Sequence, residues 1–188
     1  MLQRILAMVL ALSLLVGSSA IVVAQNADAT PPAEEEGDDA SGAGSSTLDP
    51  VIGDPVTFVG ENGEDVAVFT VEDAVVPFED FGEFFDPEAD ATYIAVQLTV
   101  ENVDPDDDPF ELSTFDIGLQ DNQGFYYFPG FVSLNDDSEF EELEDEDLAP
   151  GDTTTGYLFY AIPEDNEPVR LFYSPIGRLL QLADLRDV

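Results

Sequence analysis

TYIAVQLTVEN, residues 92–102, is the stretch from which the fold is read. Ile94, Val96, Leu98 and Val100 fall on one side of an extended chain. Tyr93, Ala95, Gln97, Thr99 and Glu101 fall on the other. Successive strand side chains point to opposite faces, so this alternation predicts a strand with one dry face and one wet face. Its β-branched Val, Ile and Thr suit such a pleated, half-buried surface.

The neighbouring sequence supplies partners for that strand. Val56–Val59 reads as a strand, and Glu61-Asn62-Gly63-Glu64 as a hairpin turn, since Asn-Gly provides the two positive φ values of a type I′ turn. The returning strand is Asp65–Val71, extendable through a bulge at Glu72-Asp73 to Val76. Downstream, Phe110–Leu112 and Ile117–Gln120 read as strands, and Asp121-Asn122-Gln123-Gly124 turns the chain into Phe125–Phe128. Thr153–Ile162 is apolar on both faces after Gly156 and so reads as a well-buried strand. Val169–Tyr173 follows, and Gly177–Val188 fits either a last strand or a short helix. In the acid-rich segment Asn135–Asp147, Ser138 and Glu141 stand at capping-box spacing, which suggests one helical turn. Seven to nine short strands separated by turn signals predict an all-β, two-sheet antiparallel sandwich.

The order of these pieces resembles the immunoglobulin-like (telokin-like) domain of unknown function of bacterial lipoproteins and secreted proteins. The resemblance rests on Tyr93–Asn102, on Phe115–Gly124 (FDIGLQDNQG), and on Leu148–Pro163 (LAPGDTTTGYLFYAIP) followed by Leu171–Pro175 (LFYSP). It spans about Pro50 to Pro175. These are turn and core residues, so the resemblance implies an immunoglobulin-like sandwich and carries no catalytic residues. The chain differs from the lipoprotein members in having no cysteine after its apolar leader.

That leader is Met1–Ala24: one basic residue, Arg4, then an apolar run from Ile5 to Val16 and two stretches, Gly17–Ala20 and Val22–Ala24, that each end in a small residue. The pattern is that of a signal peptide cleaved after Ala24, with Ala20 as a second site. An uncleaved anchor is the alternative, because Ile5–Ala24 approaches the ~20 residues that span a bilayer. Residues 25–49 are Ala, Gly, Ser, Thr, Pro and acid, and cannot bury enough apolar surface to order themselves. They read as a disordered acidic linker, and residues 50–188 as the sandwich. About 140 residues can bury roughly two-thirds of the surface of the unfolded chain, so neither disulfide nor metal is needed for folding. The expected location is secreted or in the cell envelope.

The 188 residues carry 42 Asp plus Glu against four Arg, a formal net charge of −38. Such a field repels nucleic acid and anionic membrane surfaces. It suits either adaptation to high salt or a surface kept soluble by charge. There is no His, Cys or Lys. The usual nucleophile–base pairs are therefore unavailable, and the chain reads as non-catalytic, with no cofactor.

Two stretches stand out as candidate sites. Phe78, Phe81, Phe84 and Phe85 are interleaved with acids in the loop Pro77–Asp90. They either cap an open end of the core or form an exposed patch for a protein or cell-surface partner. In Asp104–Pro109, the residues Asp104, Asp106 and Asp108 alternate as at the start of a calcium loop. The turn glycine and bidentate glutamate of an EF-hand are missing, and a Pro-bounded turn is the competing reading. The expected function is thus a binding or interaction domain of unknown ligand, with a calcium-dependent envelope protein as the alternative. The three arginines of the last stretch, Arg170, Arg178 and Arg186, are expected to pair with acidic loops. Oligomeric state cannot be read from the chain.

Overall fold

A computed structural model describes residues 49–104 and 108–188. The leader, almost all of the linker, and Asp106 lie outside the described residues. The strands are β1 (Pro55–Val59), β2 (Asp65–Val75), β3 (Ala91–Asn102), β4 (Phe110–Leu112), β5 (Ile117–Asp121), β6 (Tyr126–Tyr127), β7 (Glu146–Leu148), β8 (Thr153–Pro163), β9 (Pro168–Tyr173) and β10 (Leu180–Asp184). One four-stranded sheet has the order β1-β2-β3-β8 and a second the order β10-β9-β5-β6; β4 and β7 form a separate ribbon. All these strand pairs are antiparallel.

β3 is central to the first sheet. It runs beside β8 in unbroken register from Ala91 opposite Pro163 to Glu101 opposite Thr153. Its other neighbour, β2, contains the expected bulge: Val71 faces Leu98 and Asp73 faces Gln97, with Glu72 skipped between them. Ile94, Val96, Leu98 and Val100 project with Phe69, Leu158 and Ile162 into one core, where they meet Ile117, Leu119, Leu171 and Leu182 of the second sheet. Each such side chain contributes about 1.5–3 kcal/mol when fully buried. The protein is an immunoglobulin-like antiparallel β-sandwich.

Several local expectations are corrected. The outer face of β3 is not wet throughout: Tyr93 and Ala95 are buried, and exposure begins only at Gln97. The first hairpin does not use a type I′ turn, since Gly63 has φ 90° while Asn62 is not left-handed. The turn instead closes by Gly63 N–H to Gly60 C=O (3.3 Å) and Gly60 N–H to Glu64 C=O (2.7 Å). No helical turn forms at Ser138–Glu141. The Ser138 hydroxyl donates to Asp80 at 2.7 Å, and residues 141–143 extend alongside β8 through Tyr157 N–H to Glu141 C=O (2.8 Å) and Leu143 N–H to Tyr157 C=O (2.9 Å). That approach requires Gly156, because a Cβ there would stand 2.7 Å from the Leu143 backbone. β7 has no signal in the sequence, as Glu146 and Asp147 face solvent and Leu148 alone is buried. The C-terminal stretch resolves as a strand, with Leu182 and Ala183 buried against the core.

Candidate functional site

The outer faces of β3 and β8 present Tyr93, Ala95, Tyr157, Phe159 and Ala161, the residues that alternate with those of the main core. An apolar face of this width needs a cover, and two segments provide it. Phe78 at the start of the first loop is buried on this face, with its ring centroid 5.0 Å from Phe159, 5.3 Å from Phe81 and 5.1 Å from Phe140. Phe81 and Phe85 stack at 5.2 Å, and both meet Tyr93, at 5.1 and 5.7 Å. The second segment, residues 130–140, adds Val132 to this cluster, with Leu134 and Phe140 packed against it.

Backbone bonds fasten both covers. Phe78 N–H donates to Tyr93 C=O (2.8 Å), and Gly130 N–H to Phe159 C=O (2.8 Å). Gly82 N–H donates to Ser133 C=O (2.7 Å), tying one cover to the other. A Cβ at Gly82 would lie 2.6 Å from the Leu134 carbonyl oxygen, so only glycine permits that approach. Asp80 completes the joint by accepting from Asn135 Nδ2 and Ser138 Oγ, and these bonds hold its carboxyl below the usual pKa.

The expected four-phenylalanine patch is therefore corrected. Phe78 is buried, Phe81 and Phe85 are half-buried, and Phe84 alone is freely exposed, at 92%. The loop neither caps an end of the core nor stands open: it roofs a second, smaller core on the outside of the sheet. Exposed rings lie elsewhere. Phe125, Tyr126, Phe128 and Phe131 are 64%, 47%, 63% and 76% exposed. Here β6 pairs only with β5, and Tyr126 leans on Phe172 of β9 at 5.7 Å. The sequence carried a signal for this strip: Phe125-Tyr126-Tyr127-Phe128 is aromatic at every position, so alternation must turn some rings outward.

Between the roof and this strip lies a cleft of about 270 Å³, lined by Phe85, Asp86, Glu88, Tyr93, Phe131 and Phe159 among others. Tyr93 Oη accepts the Glu88 N–H at 3.1 Å, which holds the acidic end of the loop against the ring. Phe85 and Tyr93 meet edge to face, at 86°.

The polar residues serve the framework. Asp121 is buried, and accepts from Gln123 and Phe125 N–H, Tyr127 Oη and Asn166 Nδ2. Burial pushes its carboxyl up, but the bonds from Tyr127, Phe125, Asn166 and Gln123 outweigh this and leave it below the usual value. Asp145 is held low by Thr114, whose hydroxyl and N–H both donate to it at 2.7 Å. Asp116 nearby is pushed up, first by burial and then by the Asp145 charge. Divergent carboxylates of this kind resemble an acid–base pair. Here the Asp145 carboxylate fastens Thr114 at the start of a short 3₁₀ turn, and only Asp145 of the two lines the adjacent shallow cleft.

Asp104 and Asp108 lie on either side of the undescribed residues 105–107. Asn102 Nδ2 donates to the Asp108 carbonyl, and Asn102 Oδ1 accepts from Asp104 N–H, each at 2.9 Å. Among the described residues no group of three potential metal ligands of the His, Cys, Asp or Glu type lies together. No helix among them is long and apolar enough to cross a membrane. Among the described residues the arginines form no ion pair with an acidic loop. Arg186 pairs with Asp184 two residues away and draws its pKa to about 2. Arg178 sits over the Phe58 ring at 4.4 Å, and Arg170 lies opposite Asp184 in the sheet.

The profile of the "Domain of unknown function (DUF4352)" matches residues 60–178, from the first hairpin to just before β10. The chain belongs to the DUF4352 family. No curated protein matches the chain. Among solved structures, this DUF4352 domain is similar to the secreted protein MPT63 of Mycobacterium tuberculosis at 13% identity and a TM-score of 0.54, covering 73% of this chain and 99% of that one. It is also similar to the yjhA protein of Bacillus subtilis (22% identity, TM-score 0.46, 73% and 85% covered). A third likeness is to an uncharacterised β-sandwich protein of Clostridium difficile (16% identity, TM-score 0.41, 84% and 100% covered). At 13% identity the likeness to MPT63 is one of fold.

Proposed function

We propose that this DUF4352 domain acts outside the cytoplasm as a non-catalytic binding domain, engaging a protein or cell-surface partner through Phe125, Tyr126, Phe128 and Phe131. The observation that carries this reading is the exposure of those rings, 47–76%, in a chain with 42 acids. The four rings fall within seven residues of sequence, and aromatic residues are enriched among interface anchors. The leader sequence supports export, and the net charge of −38 argues against nucleic acid and anionic membranes as partners. The absence of His, Cys and Lys supports a role without catalysis.

The test is a Phe125→Ser/Phe128→Ser double variant, compared with wild type for retention on washed cells that export it. Both positions are exposed, so each substitution should leave stability within about 0.5 kcal/mol. The variant should appear in the medium while wild type stays cell-associated. Equal retention of the two proteins would remove the strip from consideration.

A further inference from the structure

The cleft beside the aromatic roof has a composition that the strip does not explain. Phe85, Tyr93, Phe131 and Phe159 line it together with Asp86 and Glu88; Tyr93 and Phe159 form its buried floor, and Phe85 and Phe131 are the rings open to an occupant. Phe85 and Tyr93 form a perpendicular corner, with centroids 5.7 Å apart at 86°. Aromatic faces attract cations through the ring quadrupole, and they do so best for cations that are weakly hydrated, such as quaternary ammonium groups. A carboxylate rim adds the matching charge without crowding the walls. The fold itself uses a ring–cation contact at Arg178 and Phe58, yet Arg170, Arg178 and Arg186 are all absent from this lining. The chain thus supplies no cation of its own to the cleft among its described residues. At about 270 Å³ the space is below the roughly 300–1,000 Å³ of sites for drug-sized ligands, which restricts the occupant to something the size of a headgroup.

We propose that this cleft binds the trimethylammonium group of a small free solute of the choline class. A lipid headgroup is the less suitable source, because its phosphate would be carried towards Asp86 and Glu88. The proposal shares Phe131 with the strip but not Phe125, Tyr126 or Phe128, so the Phe125→Ser/Phe128→Ser variant tests the strip and leaves the cleft lining intact.

Three ligands titrated into the purified chain at constant ionic strength test this, read by calorimetry and by saturation transfer to the ligand methyl signal. They are choline, phosphocholine and 3,3-dimethyl-1-butanol, which replaces the trimethylammonium by an uncharged group of the same shape. Choline should saturate one site. The neutral isostere should bind at least about threefold to tenfold more weakly, as loss of a ring–cation attraction implies. Phosphocholine should also be weaker than choline. Phe85→Leu, which keeps an apolar wall but removes a ring, should weaken choline about threefold or more. Asp86→Asn/Glu88→Gln alters only exposed positions and should weaken choline at low salt, with a smaller effect at high salt. Equal binding of choline and its isostere would overturn the proposal, as would failure of choline to saturate. So would capture of the chain by phosphatidylcholine vesicles without any choline binding.

Discussion

Asn102 and Asp121 are the buried polar side chains among the described residues, and each holds together pieces of chain far apart in sequence. Asn102 closes β3 by donating to the carbonyls of Asp108 and Leu148 and accepting from Asp104 N–H. Replacing it by Ala strands those backbone groups, at a cost of about 2–4 kcal/mol. A urea midpoint lowered at unchanged m-value would register this as lost stability alone. Asp121→Asn turns one acceptor oxygen into a donor facing Tyr127 and Asn166, and should cost about 1–3 kcal/mol. If stability is unmoved by the Asp121 change, its bonds are replaced by water at no loss. The sequence announced Asp121 as a turn residue because Asp-Asn-Gln-Gly is a turn signal. It was silent on the burial of Asn102, since a polar residue ending a strand looks the same whether water or carbonyls surround it.

At the level of elements, the outer aromatic core depends on the close passage of the two covering segments at Gly82. Gly82→Ala puts a methyl 2.6 Å from a backbone oxygen that cannot swing aside, so the covers should part locally while the sandwich persists. Amide exchange should then accelerate across residues 78–85 and 130–140, leaving β2, β3 and β9 protected. Uniform acceleration everywhere would mean that the covers and the sandwich unfold as one. The strands of the main sandwich were legible because alternation is a short-range pattern: β2 with its bulge, β3, β5, β8 and β9 lie close to their predicted places. The roof was not. Its rings meet Tyr93 of β3, 8 and 12 positions on, and Phe159 of β8, 81 positions on, and no local period records such contacts. Phenylalanine content favoured burial over exposure, but did not say which surface the rings would cover. β7 was missed for a related reason, because a strand pairing through its backbone can carry acids on every solvent-facing position.

For the whole molecule, charge governs the response to solvent. With a net charge of −38, repulsion opposes compaction at low ionic strength. Screening shortens from about 10 Å at 0.1 M salt to about 3 Å at 1 M. The melting temperature should therefore climb with sodium chloride. Millimolar calcium should add to it at high salt only if Asp104, Asp106 and Asp108 form a specific site, since diffuse counterion effects are by then saturated. The pH response has two arms. Asp116 and Glu142 are pushed up, each by burial first, so their ionisation works against the fold and is relieved as pH falls through their raised values. Repulsion falls in the same direction. Asp80, Asp121, Asp145 and Asp184 are held low, so their contribution is complete above about pH 4. It is lost as pH falls through their lowered values, down to about 2 for Asp184. Thermal midpoints should rise as pH falls towards the ordinary carboxylate range near about 4, and turn down below it as the lowered groups are protonated. A steady decline from neutrality would show that repulsion is already fully screened.

One contact at the edge of the sandwich has a mechanical meaning. Asp184 N–H donates to the Pro50 carbonyl at 2.7 Å, and Val51 bridges Asp184 in parallel, so the chain enters and leaves the domain side by side. A pull applied between Pro50 and Leu185 would load this junction at the edge of β10 first, and in shear, because the two segments run parallel through it.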